Sequence, residues 1–169
     1  MSEHVSHASE PPLLQVRDLK VHFDTNSGWF SSGNAIRAVD GVSFTLRAGE
    51  TLGLVGESGC GKSTTARAIL NLVPPTAGSI EIAGTRTSGL SAKAMRPHRR
   101  NVQMIFQDPF ASLNPRMTIG RIIAEPMEIF RLHNNRQRQL EVMRLMDLVG
   151  LNPSTLNRYP HEFSGGQRQ

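Results

Sequence analysis

The stretch Gly56-Glu57-Ser58-Gly59-Cys60-Gly61-Lys62-Ser63-Thr64 constrains this chain more than any other. It fits G-x-x-x-x-G-K-[ST], with Gly56, Gly61, Lys62 and Ser63 at the defining places. Glycines let the backbone take positive φ and approach an anion without a Cβ in the way. Successive N–H groups over residues 59–64 can then point into one concavity. Such a loop belongs between a strand and a helix, and the flanks read that way. Residues 51–55 are a short apolar run of the kind a doubly covered parallel strand shows. Residues 62–72 keep apolar or small side chains (Ala66, Ile69, Leu70) at helical spacing up to Val73, before Pro74-Pro75. The helix start adds unpaired donors, Lys62 is placed to reach the β and γ phosphates of a nucleotide, and the Ser63 hydroxyl is placed to hold Mg²⁺. ATP or GTP is the expected ligand. Cys60 stands beside a helix start and a lysine, a setting that raises thiol reactivity, although its small size also suits it as filler.

Upstream, residues 13–23 end in an alternation of Leu19, Val21 and Phe23, and residues 38–46 alternate through Val42, Phe44 and Leu46. An antiparallel pair is expected, joined by a loop at 25–34 that holds Trp29 and Phe30. Residues 79–83 and 102–106 are further strand candidates, with a basic segment at 92–100 between them. Beyond Gln107 the pattern turns helical. Ile119, Ile122, Ile123, Met127 and Phe130 mark one helix, with a bend expected at Pro126, and Leu140, Met143, Met146 and Val149 mark a second that closes at Gly150. Methionines at this spacing read as core filling in preference to a soft binding face. The expected organisation is a disordered stretch at 1–12, an antiparallel β and loop-bearing core at 13–107, and a helical part at 108–169.

Composition removes several classes. A single cysteine forbids an intramolecular disulfide, and the six histidines show no metal-ligand spacing. No apolar run approaches the roughly 20 residues of a membrane-crossing helix, and residues 1–12 lack the apolar core of a secretory signal. The formal charge of +5 includes two arginine runs, Arg96, Arg99 and Arg100 and then Arg131, Arg136 and Arg138. No aromatic residues interleave with them, so they read as solvated helix faces and no nucleic-acid partner is expected.

Two further segments choose among the proteins that carry such a loop. Phe106-Gln107-Asp108-Pro109-Phe110-Ala111-Ser112-Leu113-Asn114-Pro115 resembles the Q-loop of the ATP-binding cassette (ABC) ATPases. Tyr159-Pro160-His161-Glu162-Phe163-Ser164-Gly165-Gly166-Gln167-Arg168-Gln169 resembles their signature sequence. With residues 50–64 these segments look like the ATP-binding subunits of dipeptide and oligopeptide importers, and the resemblance runs from Leu13 onward.

The resemblance implies an α/β fold, a P-loop NTPase of ABC type with an antiparallel β subdomain and a helical subdomain. It implies ATP and Mg²⁺, with residues 56–64 around the phosphates and Lys62 and Gln107 as the catalytic pair. Gln107 would contact Mg²⁺ and the attacking water and link the nucleotide to a permease, a role that suits a carboxamide able both to donate and to accept. Ser164, Gly165, Gly166 and Gln167 would act across a head-to-tail dimer on the γ-phosphate held by the other subunit. Alone, Gln107 would read as a solvent-facing strand end and Ser164 as a helix N-cap. An aromatic against adenine is also implied, and Phe23 fits by position, with Trp29 as fallback. The implied partners are transmembrane permease subunits, a second ATPase subunit and, indirectly, a solute-binding protein, at the cytoplasmic face of the inner membrane.

The family pattern continues past Gln169 with a Mg²⁺-supporting Asp, a catalytic Glu, a D-loop and a switch histidine, none of which occurs in residues 1–169. Glu57 matches no base position, and His161 precedes the signature. The expectation is a cassette core lacking its C-terminal part, which binds nucleotide through the loop without turning it over. An importer subunit leads; a soluble P-loop kinase, a non-transport ABC ATPase and a non-hydrolysing nucleotide-binding fragment are the alternatives. The solute, whether peptide, nickel or glutathione, is not legible in these residues.

Overall fold

The computed structural model describes residues 11–24, 35–106, 108 and 112–168. They divide into two compact units, residues 1–104 and 105–169. Residues 1–10, Trp29 and Gln107 lie outside the described residues.

The first unit is built on a four-stranded antiparallel sheet in the order β2-β1-β3-β4. Its strands are β1 (Leu14–Asp24), β2 (Ala35–Leu46), β3 (Ala77–Ile82) and β4 (Thr85–Arg86). The expected β1/β2 pair forms, with Leu14 opposite Leu46, Val16 opposite Phe44 and Phe23 opposite Ile36. β1 also pairs with β3, and the register shifts between Arg17 and Lys20, where Asp18 takes φ 46. Gly78 at φ +89 lies against the carbonyls of Arg17 and Asp18 at this irregularity, where a Cβ would have no room. Alternate residues of the strands (Val16, Leu19, Val21, Val39, Ile80, Ile82) form one buried face. Ala68 of α1 (Lys62–Ile69) and Met95 of α2 (Ala92–Met95) pack into the same cluster.

Helix α1 ends earlier than its apolar spacing predicts, because Asn71 adopts a left-handed conformation at φ 53. The Asn71 amide then donates to Ala68 O at 2.9 Å and the Leu72 amide to Arg67 O at 2.9 Å, closing the helix carbonyls in a Schellman turn. The Asn71 carboxamide donates onward to Leu90 O at 2.6 Å.

Two expected strands are absent. Residues 51–55 and 102–106 pair with no strand among the described residues. Val55 is 95% exposed and Ile105 85% exposed. An apolar run records a preference for burial, whereas a strand exists only where a neighbour takes up its N–H and C=O groups. The four antiparallel strands already pair with one another and offer these two segments no such neighbour.

The second unit is helical. α3 (Ile119–Ile129) runs through Pro126, and α4 (Asn135–Leu148) follows a short turn. Asn134 caps α4 reciprocally, its Oδ1 accepting from the Gln137 amide at 3.0 Å while Gln137 Oε1 accepts from the Asn134 amide at 3.1 Å. Gly150, at φ 75, closes the helix as its sequence position predicts, with the Leu151 amide donating to Met146 O at 2.8 Å. Met127 and Met146 lie in the core with Ile119, Val142 and Phe163, so core filling is their role. Arg138, from the second arginine run, pairs with Glu128 of α3 at 3.4 Å. On α4's exposed face Arg144 donates to both oxygens of Glu141 at 2.7 and 2.9 Å and holds that carboxyl below its usual range. As a fully solvated helix-surface pair it contributes little to stability.

Candidate functional site

Residues 56–61 form an exposed loop that ends on Gly61 at φ 95, the N-cap of α1. No side chain caps this helix, and its first turn holds no acidic residue. The first helical bond runs from the Thr65 amide to Gly61 O at 2.8 Å, reinforced by Thr65 Oγ1 at 3.0 Å. The amides of Lys62, Ser63 and Thr64 therefore have no intrahelical acceptor, and the partial positive charge of the helix start is theirs. A loop of this shape is a receptor for an anion.

Lys62 crosses the loop. Its ammonium donates to Gly56 O at 2.7 Å and to Glu57 O at 2.6 Å, with Cys60 Sγ at 3.4 Å. The two ends of the loop are thus drawn together around one cation. Two glycines are dictated by contact: a Cβ on Gly56 would stand 2.5 Å from Cys60 Sγ, and one on Gly61 would overlap the Ala38 carbonyl of β2. The base of the cradle rests on the sheet through Ala38 and Val39, a support that no motif reveals.

Cys60 is exposed and unpaired in any disulfide. Alkylation by a maleimide is expected to block nucleotide binding, and saturating MgATP to slow the reaction at least severalfold. Equal labelling rates with and without nucleotide would show that the ligand does not fill the loop beside Cys60.

Phe23 lies at the end of β1, opposite Ile36 and 43% exposed. Ile36 is two residues from Ala38, about 7 Å along β2, so the ring belongs to the same end of the sheet as Gly61. An exposed aromatic face of this kind can stack on a planar base. Gln107 and its fallback companion of Phe23, Trp29, lie outside the described residues.

In the second unit, Ser164 precedes the short helix α5 (Gly165–Arg168). Its Oγ donates to Gln167 Oε1 at 3.2 Å, its amide donates to the same oxygen at 3.0 Å, and the Gln167 amide donates back to Oγ at 3.4 Å. Ser164 thus acts as an N-cap here. Gly165 and Gly166 would each accept a Cβ with nothing within 4 Å, and neither has positive φ, so this unit's own packing does not demand glycine at either. A contact that motif reading passed over is Arg168, whose Nε donates to Pro160 O at 2.7 Å and Nη2 to His161 O at 3.3 Å. Only its adjacency to the signature could have drawn attention to it.

The sheet, the glycine cradle and the helical unit define an ABC-type P-loop NTPase fold, and the chain belongs to the ABC transporter family, whose family model matches residues 39–169. Nucleotide binding comes with that membership. The chain is 55% identical over 159 residues to the putative oligopeptide transport ATP-binding protein YkfD of Bacillus subtilis, covering 94% of this chain and 47% of that one. It is also 55% identical over 161 residues to the oligopeptide transport ATP-binding protein OppF of Salmonella typhimurium, covering 93% and 48%. The fold matches that of the ATP-binding cassette MJ0796, solved as a dimer in a post-hydrolysis state bound to ADP and Pi. There the TM-score is 0.76 at 24% identity, over 92% of this chain and 65% of that chain. This chain spans about half the length of the curated relatives it matches.

Proposed function

We propose that this chain is the ATP-binding portion of the ATPase subunit of a peptide-type ABC importer, in which ATP binding and hydrolysis drive solute uptake through a permease. The observation that carries this reading is the cradle: uncapped amides at residues 62–64, glycines at the close contacts, and one ammonium held across the loop. That donor set matches the charge and breadth of a triphosphate. The β and γ phosphates sit on the amides of residues 59–64 and on Lys62, with adenine against Phe23.

Magnesium binds chiefly through phosphate oxygens and water and needs only one or two protein oxygens. The exposed Ser63 hydroxyl in the first turn of α1 fits that need, and Gln107 is the second proposed contact. The cation supplies charge neutralisation at the phosphates. Gly165 and Gly166 support a dimer role for the signature, since glycine costs about 1 kcal/mol in a helix and is unneeded within the unit itself. Close approach by a second subunit's nucleotide gives those glycines a purpose, and Ser164 then exchanges Gln167 for a charged acceptor.

Among the described residues no helix is long and apolar enough to cross a membrane. The subunit is accordingly placed at the cytoplasmic face of the inner membrane, docked on permease subunits that a solute-binding protein loads. Peptide is favoured over nickel or glutathione because the relatives carry peptide-transport names. The test is uptake of labelled oligopeptide into proteoliposomes holding the full-length subunit, its permeases and binding protein, with ATP on the subunit's side. ATP-dependent uptake that Lys62→Ala abolishes is expected. Peptide-independent accumulation of nickel or glutathione instead would overturn the solute assignment, and uptake insensitive to Lys62 would overturn the coupling.

A further inference from the structure

We propose that Arg168 is a positioning residue, holding the Ser164–Gln167 turn in the orientation that presents its donors to the nucleotide of the opposite subunit. The inference rests on the dimer reading above. A helix of four residues cannot hold its own direction, and the two glycines in α5 give it no side-chain anchorage. Its orientation therefore depends on what grips either end. On the N-terminal side Phe163 is buried in the core with Met146 and Val142. On the C-terminal side the Arg168 guanidinium spans two carbonyls, Pro160 O at 2.7 Å and His161 O at 3.3 Å.

The turn that Arg168 grips is itself stiff. Pro160 is buried, the Tyr159 amide donates to Glu162 Oε2 at 2.7 Å, and the Tyr159 and His161 rings stack with centroids 5.7 Å apart. The guanidinium thus transfers the rigidity of residues 159–162 to the serine and glycines between them. A planar fork can satisfy two carbonyls at once, whereas an ammonium on a flexible stem loses part of that geometry. Displacing reacting donors by about 1 Å can cost about 100-fold in rate.

In the full-length ATPase, Arg168→Ala is expected to lower kcat for ATP about 10-fold to 100-fold while leaving KM within about twofold, since the loop that binds the nucleotide is untouched. Arg168→Lys should recover part of the loss. Mixed dimers locate the effect. When Arg168→Ala and Lys62→Ala share one subunit and the partner is wild type, the competent loop faces the altered signature and turnover is slow. When the two substitutions are on opposite subunits, the competent loop faces an intact signature and turnover is faster by the same 10-fold to 100-fold. Equal rates in the two pairings would overturn the proposal. Ser164→Ala in the same pairings separates the two claims: if it discriminates and Arg168→Ala does not, only the positioning role fails, and if neither does, the dimer reading fails. Should Arg168→Ala not fold, Arg168→Lys in both pairings decides the matter by the same criterion.

Discussion

Lys62→Ala is expected to weaken MgATP binding at least 100-fold in titration calorimetry. The side chain serves twice. It donates to Gly56 O and Glu57 O and so closes the loop, and it carries the positive charge nearest the cradle amides. Each charge-assisted hydrogen bond to a phosphate contributes about 1.5–3 kcal/mol. Losing two of them is about 3 kcal/mol or more, which corresponds to the 100-fold loss. Lys62→Arg should fall between the wild type and the alanine variant, because the charge survives but a planar fork cannot reproduce a point donor between two carbonyls. Unchanged affinity in Lys62→Ala would remove the basis for placing a triphosphate in residues 56–64.

Gly61→Ala is expected to destabilise the first unit by about 2–4 kcal/mol in urea unfolding and to abolish nucleotide binding with it. Two costs combine: about 1–2 kcal/mol for a left-handed conformation at φ 95 and about 1–3 kcal/mol for the overlap of the new methyl with the Ala38 carbonyl. Gly59→Ala is the control. Gly59 has φ 86 but nothing within 4 Å of its would-be Cβ, so only the conformational cost applies. If the two variants proved equally stable, the cradle would not rest on β2.

Much of the fold was legible because it follows from local rules. The alternation in β1 and β2, the cap at Asn134 and the helix closure at Gly150 each depend on residues a few positions apart, and each formed as expected. Residues 51–55 and 102–106 did not, since their apolar runs report a wish for burial without naming the strand that would pair with them. The early end of α1 was missed for a different reason: the apolar spacing continues to Val73, but Asn71 turns left-handed and its carboxamide finds Leu90.

The site divides along the same line. The order of residues by itself determined the glycine loop, the lysine and the helix that begins there, because these act within a nine-residue span whose backbone freedom is a local property. Only the tertiary structure decided that Gly61 must be bare against Ala38, that Phe23 shares an end of the sheet with it, and that Arg168 clamps the signature turn to Pro160 and His161. Such close approaches depend on how strands, turns and side chains settle against one another, and a pattern of residue types carries no distance.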